Sequence, residues 1–169
     1  MSIVLIGNIL SFAGCILMVL VGLIKDKGRI LSTQCVQFAL QAAANLTLGG
    51  ISGFISNIVS LVRNLVYSRC KITLWLKIGF IALQLLLAFG SLGEGIVALL
   101  PITATVLFTW FLDTESGVKL KIVIISAQIL WLIYDLLHLN YVAVAFDAFT
   151  MVSNVIGIFL ILNSSDKKQ

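Results

Sequence analysis

Seven long apolar runs follow one another along the chain, over residues 3–24, 30–48, 51–67, 72–89, 96–112, 120–139 and 141–162. Each approaches the roughly 20 residues an α-helix needs to cross about 30 Å of hydrocarbon. The runs are continuous and lack the period-two alternation of barrel strands, which predicts helices. Only Gly49-Gly50 separates the second run from the third, and only the region of Asn140 separates the sixth from the seventh. Both pairs therefore read as tight helical hairpins.

Polar residues interrupt these runs at helical spacing. The second carries Gln34, Gln37, Gln41 and Asn45, and the third carries Asn57, Ser60, Arg63 and Asn64. The sixth carries Trp131, Tyr134, Asp135 and His138, spaced i, i+3, i+4 and i+7, and the seventh Asp147, Thr150 and Asn154. Such spacing puts each set on one helical face. In hydrocarbon a polar side chain is costly unless it faces protein or water, so the stripes are expected to converge on a central, water-accessible cavity. Hydrogen bonding between packed helices is the other role open to the Gln and Ser positions. Tyr67, Trp75, Trp110 and Tyr141 lie near predicted helix ends, where aromatic rings anchor at the lipid interface. Gly7, Gly14 and Gly22 lie on one face of the first helix and are expected to form a packing seam.

Composition explains why the runs fill the chain. Of 169 residues, 60% are hydrophobic and 11% charged, with a mean hydropathy of +1.14. A soluble domain is about half apolar and a quarter charged. The chain therefore reads as an integral membrane protein. The three cysteines show no metal-type spacing or disulfide framework. The net charge of +4 rests on eleven basic residues in small groups, which does not suit nucleic acid; no nucleic-acid partner, metal or cofactor is expected. No basic residue precedes the first run, so it is expected to remain as a helix and not be cleaved as a signal.

The basic groups set an orientation. Lys25, Lys27 and Arg29 follow the first run; Arg63, Arg69, Lys71 and Lys77 flank the junction of the third and fourth; Lys119 and Lys121 lie between the fifth and sixth; Lys167 and Lys168 lie in the tail. With the N-terminus outside and the C-terminus cytoplasmic, all eleven fall on the cytoplasmic side, as the positive-inside rule requires.

The two halves also resemble each other. Ser32-Thr33-Gln34 recurs as Ser126-Ala127-Gln128, and Ser56-Asn57 as Ser153-Asn154. Order, charged loops and topology match as well. This predicts two parallel three-helix repeats, 1–68 and 96–162, a linker helix in 69–95 and a tail at 163–169. Parallel repeats are one architecture of secondary transporters, with the site near the midplane between them.

The stretch from Gly50 through Asn57 to Asn64, the stretch Pro101 to Trp110, and Trp131-Leu-Ile-Tyr134-Asp135 together resemble the bacterial inner membrane protein YgjV family, over nearly the whole chain. More distantly, the three-plus-one-plus-three plan is similar to SWEET sugar and PnuC vitamin transporters. The first resemblance implies the bacterial inner membrane, and the second an all-α, seven-span fold of two parallel three-helix repeats joined by a linker helix. The second also implies that Trp131, Tyr134, Asn57 and Asn154 line a substrate pocket.

These observations favour a small-molecule transporter working by alternating access. Asn57, Asn154, Trp131, Tyr134 and Gln41 are the expected cavity residues, with Asn57 and Asn154 facing each other. Asp135, Asp147 and His138 are the proton-coupling candidates. Arg63, near the end of the third run, is expected to reach lipid phosphate or to meet an anionic substrate. The amide-rich stripes and acidic pair suit a polar, neutral or cationic solute such as a sugar, nucleoside or vitamin. The expected partners are the lipid bilayer, an unidentified polar small molecule and, in a homo-oligomer, further copies of the chain. A membrane enzyme is disfavoured by the single histidine and the lack of a nucleophile–base pattern. The alternative is a non-transporting receptor or assembly protein.

Overall fold

Each apolar run forms a helix, and the ends follow local chemistry. The computed structural model describes the backbone of residues 3–137 and 141–166, and the side chains of 5–89, 95–137 and 143–163 within it. The α-helices are α1 (Ile3–Leu23), α2 (Lys27–Leu48), α3 (Ile51–Arg69), α4 (Leu74–Ala88), α5 (Leu99–Phe111), α6 (Gly117–Leu137) and α7 (Tyr141–Asp166). Asp26 caps α2 by accepting from the Arg29 amide at 2.8 Å, and Thr73 caps α4 by accepting from the Leu76 amide at 3.3 Å. Gly49, at φ 83°, ends α2 in the left-handed region that favours glycine, so the chain turns into α3 within two residues.

Residues Phe89–Ala98 depart from a simple loop between the fourth and fifth runs. They form a 3₁₀ segment, interrupted at Gly95 (φ 66°, ψ −151°), that leads into α5. Pro101 lies in the first turn of α5, where a missing amide hydrogen costs least.

Six helices close a ring. α1 packs on α2, α2 on α3, α3 on α5, α5 on α6, α6 on α7, and α7 back on α1. α4 sits outside the ring against α3 and α5. The 3₁₀ segment touches α3, α4, α5 and α6. The loops that carry most of the basic residues gather at the other end, here called the basic end. There Lys77 pairs with Asp113 at 2.5 Å and lies 5.5 Å from the Trp110 ring centroid.

The bundle is apolar outside and polar inside. Leu5, Ile9, Phe12, Ile16, Leu20, Val36, Leu46, Ile122, Ile129, Phe159 and many others are exposed. The described buried residues include as many polar as apolar side chains. Among the described residues, three helices contain apolar stretches long enough to cross a bilayer: Leu5–Leu23, Gly117–Leu137 and Ala143–Asn163. α2 and α3 have lower hydropathy because of the amide side chains and Arg63 that they turn inward. α1 and α7 cross closely, so that a Cβ on Gly22 would overlap Ser153 Oγ and one on Gly157 would overlap the Gly22 carbonyl. The expected glycine seam therefore divides: Gly7 and Gly14 face Thr47, Leu48 and Gln41 of α2, and Gly22 faces α7. Tyr67 is not an interfacial anchor. It is 6% exposed, stacks edge-on against Phe80 at 5.5 Å and leaves its hydroxyl buried without a partner.

Candidate functional site

The inward polar faces line a cavity of about 150 Å³ within the ring. That is well above the roughly 10–15 Å³ one water requires. All six ring helices contribute to its wall, and α4 does not.

The α2 stripe lines it in full: Gln34, Gln37, Gln41 and Asn45. Gln41 donates through Nε2 to Ser11 O and Cys15 Sγ, each at 3.3 Å, tying α2 to α1. Asn57 lines the cavity from α3 and donates through Nδ2 to Gly53 O at 2.8 Å. Trp131 and Tyr134 line it from α6, stacked edge-on with ring centroids 5.7 Å apart. The Tyr134 hydroxyl meets Ser52 Oγ at 3.0 Å, linking α6 to α3 on the side away from the basic end. Asp135 and Asp147 also line the cavity, from adjacent helices, and Gln128 Nε2 donates to Asp147 Oδ1. His138 lies outside the described residues.

Two expected placements need correction. Asn154 is fully buried but does not line the cavity, so it does not face Asn57 across it. It packs beside the α1–α7 crossing, where its amide N lies close to Gly22, and its Nδ2 donates to Thr150 O at 2.9 Å. Its Oδ1 is buried without a hydrogen-bond partner. The second correction is Arg63, which does not reach the lipid interface. α3 runs on to Arg69, six residues or about 9 Å beyond Arg63, at 1.5 Å per residue. The side chain is 1% exposed and lines the cavity.

Arg63 is held in a fixed setting. Its Nη1 donates to Thr109 Oγ1 at 2.8 Å, and its Nε and Nη2 both donate to Asn64 Oδ1 at 3.1 Å. The Phe108 ring lies 4.7 Å from its central carbon. Thr109 donates onward to Thr105 O at 2.7 Å, and Asn64 Nδ2 donates to Gln34 Oε1 at 3.0 Å. The network fastens α3 to both α2 and α5.

Sequence reasoning missed two lysines that tie the two halves of the chain together at the basic end. Lys121, read as a loop residue, is fully buried in α6, and its Nζ donates to Gly22 O at 2.6 Å and Val21 O at 3.4 Å. It caps the C-terminal carbonyls of α1, where a cation is favoured. Lys27, at the start of α2, donates to Thr114 O just beyond α5 at 3.0 Å. The signal was present in the Ser-x-Gln alignment: positions 27 and 121 are 94 apart, as are 32 and 126, and 34 and 128.

The architecture defines an all-α membrane protein built around a polar interior. The chain belongs to the Imp-YgjV family of bacterial inner membrane proteins, whose model matches residues 5–164. No curated protein and no solved structure matches it.

Proposed function

We propose that the chain transports a small polar molecule across the inner membrane, with two parallel three-helix units, 1–68 and 96–162, rocking about the cavity between them. The observation that carries this reading is the cavity itself: it lies between the halves and draws its wall from α1, α2 and α3 on one side and α5, α6 and α7 on the other. A site at a repeat interface is where parallel-repeat transporters hold substrate.

Equivalent contacts support the repeat. Lys27 of the first half reaches carbonyl oxygen at the end of the second half's first helix, and Lys121 does the reverse. Ser32 donates to Gly28 O and Ser126 to Ile122 O, both at 3.0 Å. Asn57 and Asn154 make the same bond to the carbonyl four residues back. A twofold exchange of the halves maps the α1–α7 contact onto α3–α5, and both exist. α4, with the segment after it in 69–95, is then the linker that keeps the units parallel. In this reading the basic end faces the cytoplasm and the N-terminus lies outside. Asp135 and Asp147, with His138, are the groups proposed to exchange a proton during the cycle.

Spin labels at Arg29 of α2 and Lys119 of α6, both exposed near the basic end, test the motion without knowledge of the substrate. Rocking predicts two distance populations in bilayer nanodiscs. A single narrow population, as a rigid receptor or assembly protein would give, contradicts it.

A further inference from the structure

We propose that the Arg63 end of the cavity is a binding site for the anionic group of a small solute, a carboxylate or an oxyanion of similar size. This deepens the transport reading by naming a substrate class, and it departs from the neutral or cationic solute that the stripes alone suggest. The binding site itself stands independently of motion.

The argument starts from charge. Arg63 is 1% exposed and lines the cavity, and an arginine side chain stays protonated in proteins. Among the described residues no carboxylate lies within ion-pair distance of it; the one ion pair found is Lys77 with Asp113. Asp26 and Glu115 are exposed at the basic end. Removing a charge from water without a counter-charge costs several kcal/mol. Phe108 and two neutral oxygens, Asn64 Oδ1 and Thr109 Oγ1, offset part of that. The guanidinium has five N–H donors, and three are used within the protein.

The neighbours turn donors toward the same place. Asn64 gives its oxygen to Arg63 and its amide N–H to Gln34 Oε1. Gln34 thus accepts through its oxygen and keeps its NH₂ group for the cavity it lines. Gln37 and Ser60 add further donors on the wall. One fixed cation ringed by neutral donors is the chemistry that recognises an oxyanion, and the planar fork of arginine fits it in two-point fashion.

The acids lie at another depth. Gln41, which contacts Ser11 and Cys15, is seven residues from Gln34, about 10 Å along α2. Tyr134, the neighbour of Asp135, meets Ser52 at the start of α3, eleven residues from Arg63 or about 16 Å along that helix. The cavity therefore holds its cation toward one end and its two carboxyl groups toward the other, which orients a solute with its anionic group at Arg63.

The test is thermal unfolding of the purified, detergent-solubilised chain. Acetate, benzoate, succinate and inorganic phosphate are titrated against chloride at equal ionic strength. A ligand that binds only the folded state raises the melting temperature in a saturable way. At least one oxyanion should do so in the native chain and in Arg29→Gln, which removes an exposed charge at the same end. The rise should vanish in Arg63→Gln. If that variant does not fold, Arg63→Lys, which keeps the charge but loses the fork, should show binding at least tenfold weaker. The proposal is overturned if no oxyanion stabilises the native chain beyond chloride, or if the Arg63 variants respond as the native chain does. It is also overturned if soluble oxyanions are inert while phosphatidylglycerol nanodiscs stabilise the native chain and not Arg63→Gln, since the occupant is then a lipid phosphate. Saturable binding with a single spin-label distance leaves the site standing and removes only the transport reading. Two distance populations without anion binding do the reverse.

Discussion

Lys121 and Lys27 make comparable contacts from very different surroundings. Lys121 is fully buried and satisfies two helix-end carbonyls; Lys27 is partly exposed and satisfies one. Replacing Lys121 with Met should leave those carbonyls poorly satisfied and cost about 1–3 kcal/mol. Lys27→Met should cost less, because water can reach Thr114. Heat unfolding of the two variants in detergent checks this, and equal losses would contradict the assigned roles. At this scale the sequence was legible where polar residues repeat at helical spacing. Gln34, Gln37, Gln41, Asn45, Asn57, Trp131, Tyr134, Asp135 and Asp147 all line the cavity. It was misleading where position was counted from the end of an apolar run. Arg63 looked terminal because hydropathy falls after Tyr67, but α3 continues to Arg69. Asn154 looked equivalent to Asn57 and shares its local bond, but the close α1–α7 crossing draws it away from the cavity.

Helices were legible because continuous apolar runs and turn residues mark them. The hairpin at Gly49 and the seven helices follow from those signals. The 3₁₀ segment was not foreseen, because the glycine-rich stretch 89–98 also reads as a loop. Which helix touches which was not legible either. Between helices in lipid, small residues and polar contacts decide the pairing, not hydrophobic burial. The α1–α7 crossing is the clearest example, and it carries a prediction. Gly157→Val forces a side chain into the Gly22 carbonyl and the Lys121 stem and should cost about 1–3 kcal/mol or more. Gly79→Ala in α4 meets nothing within 4 Å and should stabilise by roughly 0.5–1 kcal/mol through helix propensity. Thermal unfolding of both variants is the check; a tolerated Gly157→Val would mean that the crossing is looser than described.

For the whole molecule, an apolar exterior and a polar interior invert the pattern of a soluble globule, and composition alone makes that inversion legible. Orientation depends on the basic residues. A reporter fused at Gln169 should give a cytoplasmic signal and one at Gly93 an external signal; the opposite pattern would reverse the orientation, and signals from the same side would undo the repeat topology. The central claim, a cavity reached alternately from both sides, meets its most direct test at Cys15, which is native, 3% exposed and part of the cavity wall. With Cys35 and Cys70 replaced by Ser, a small membrane-impermeant methanethiosulfonate is applied to right-side-out and to inside-out vesicles. Alternating access predicts that Cys15 is modified from both sides. Modification from one side only, or only after unfolding, would contradict the account.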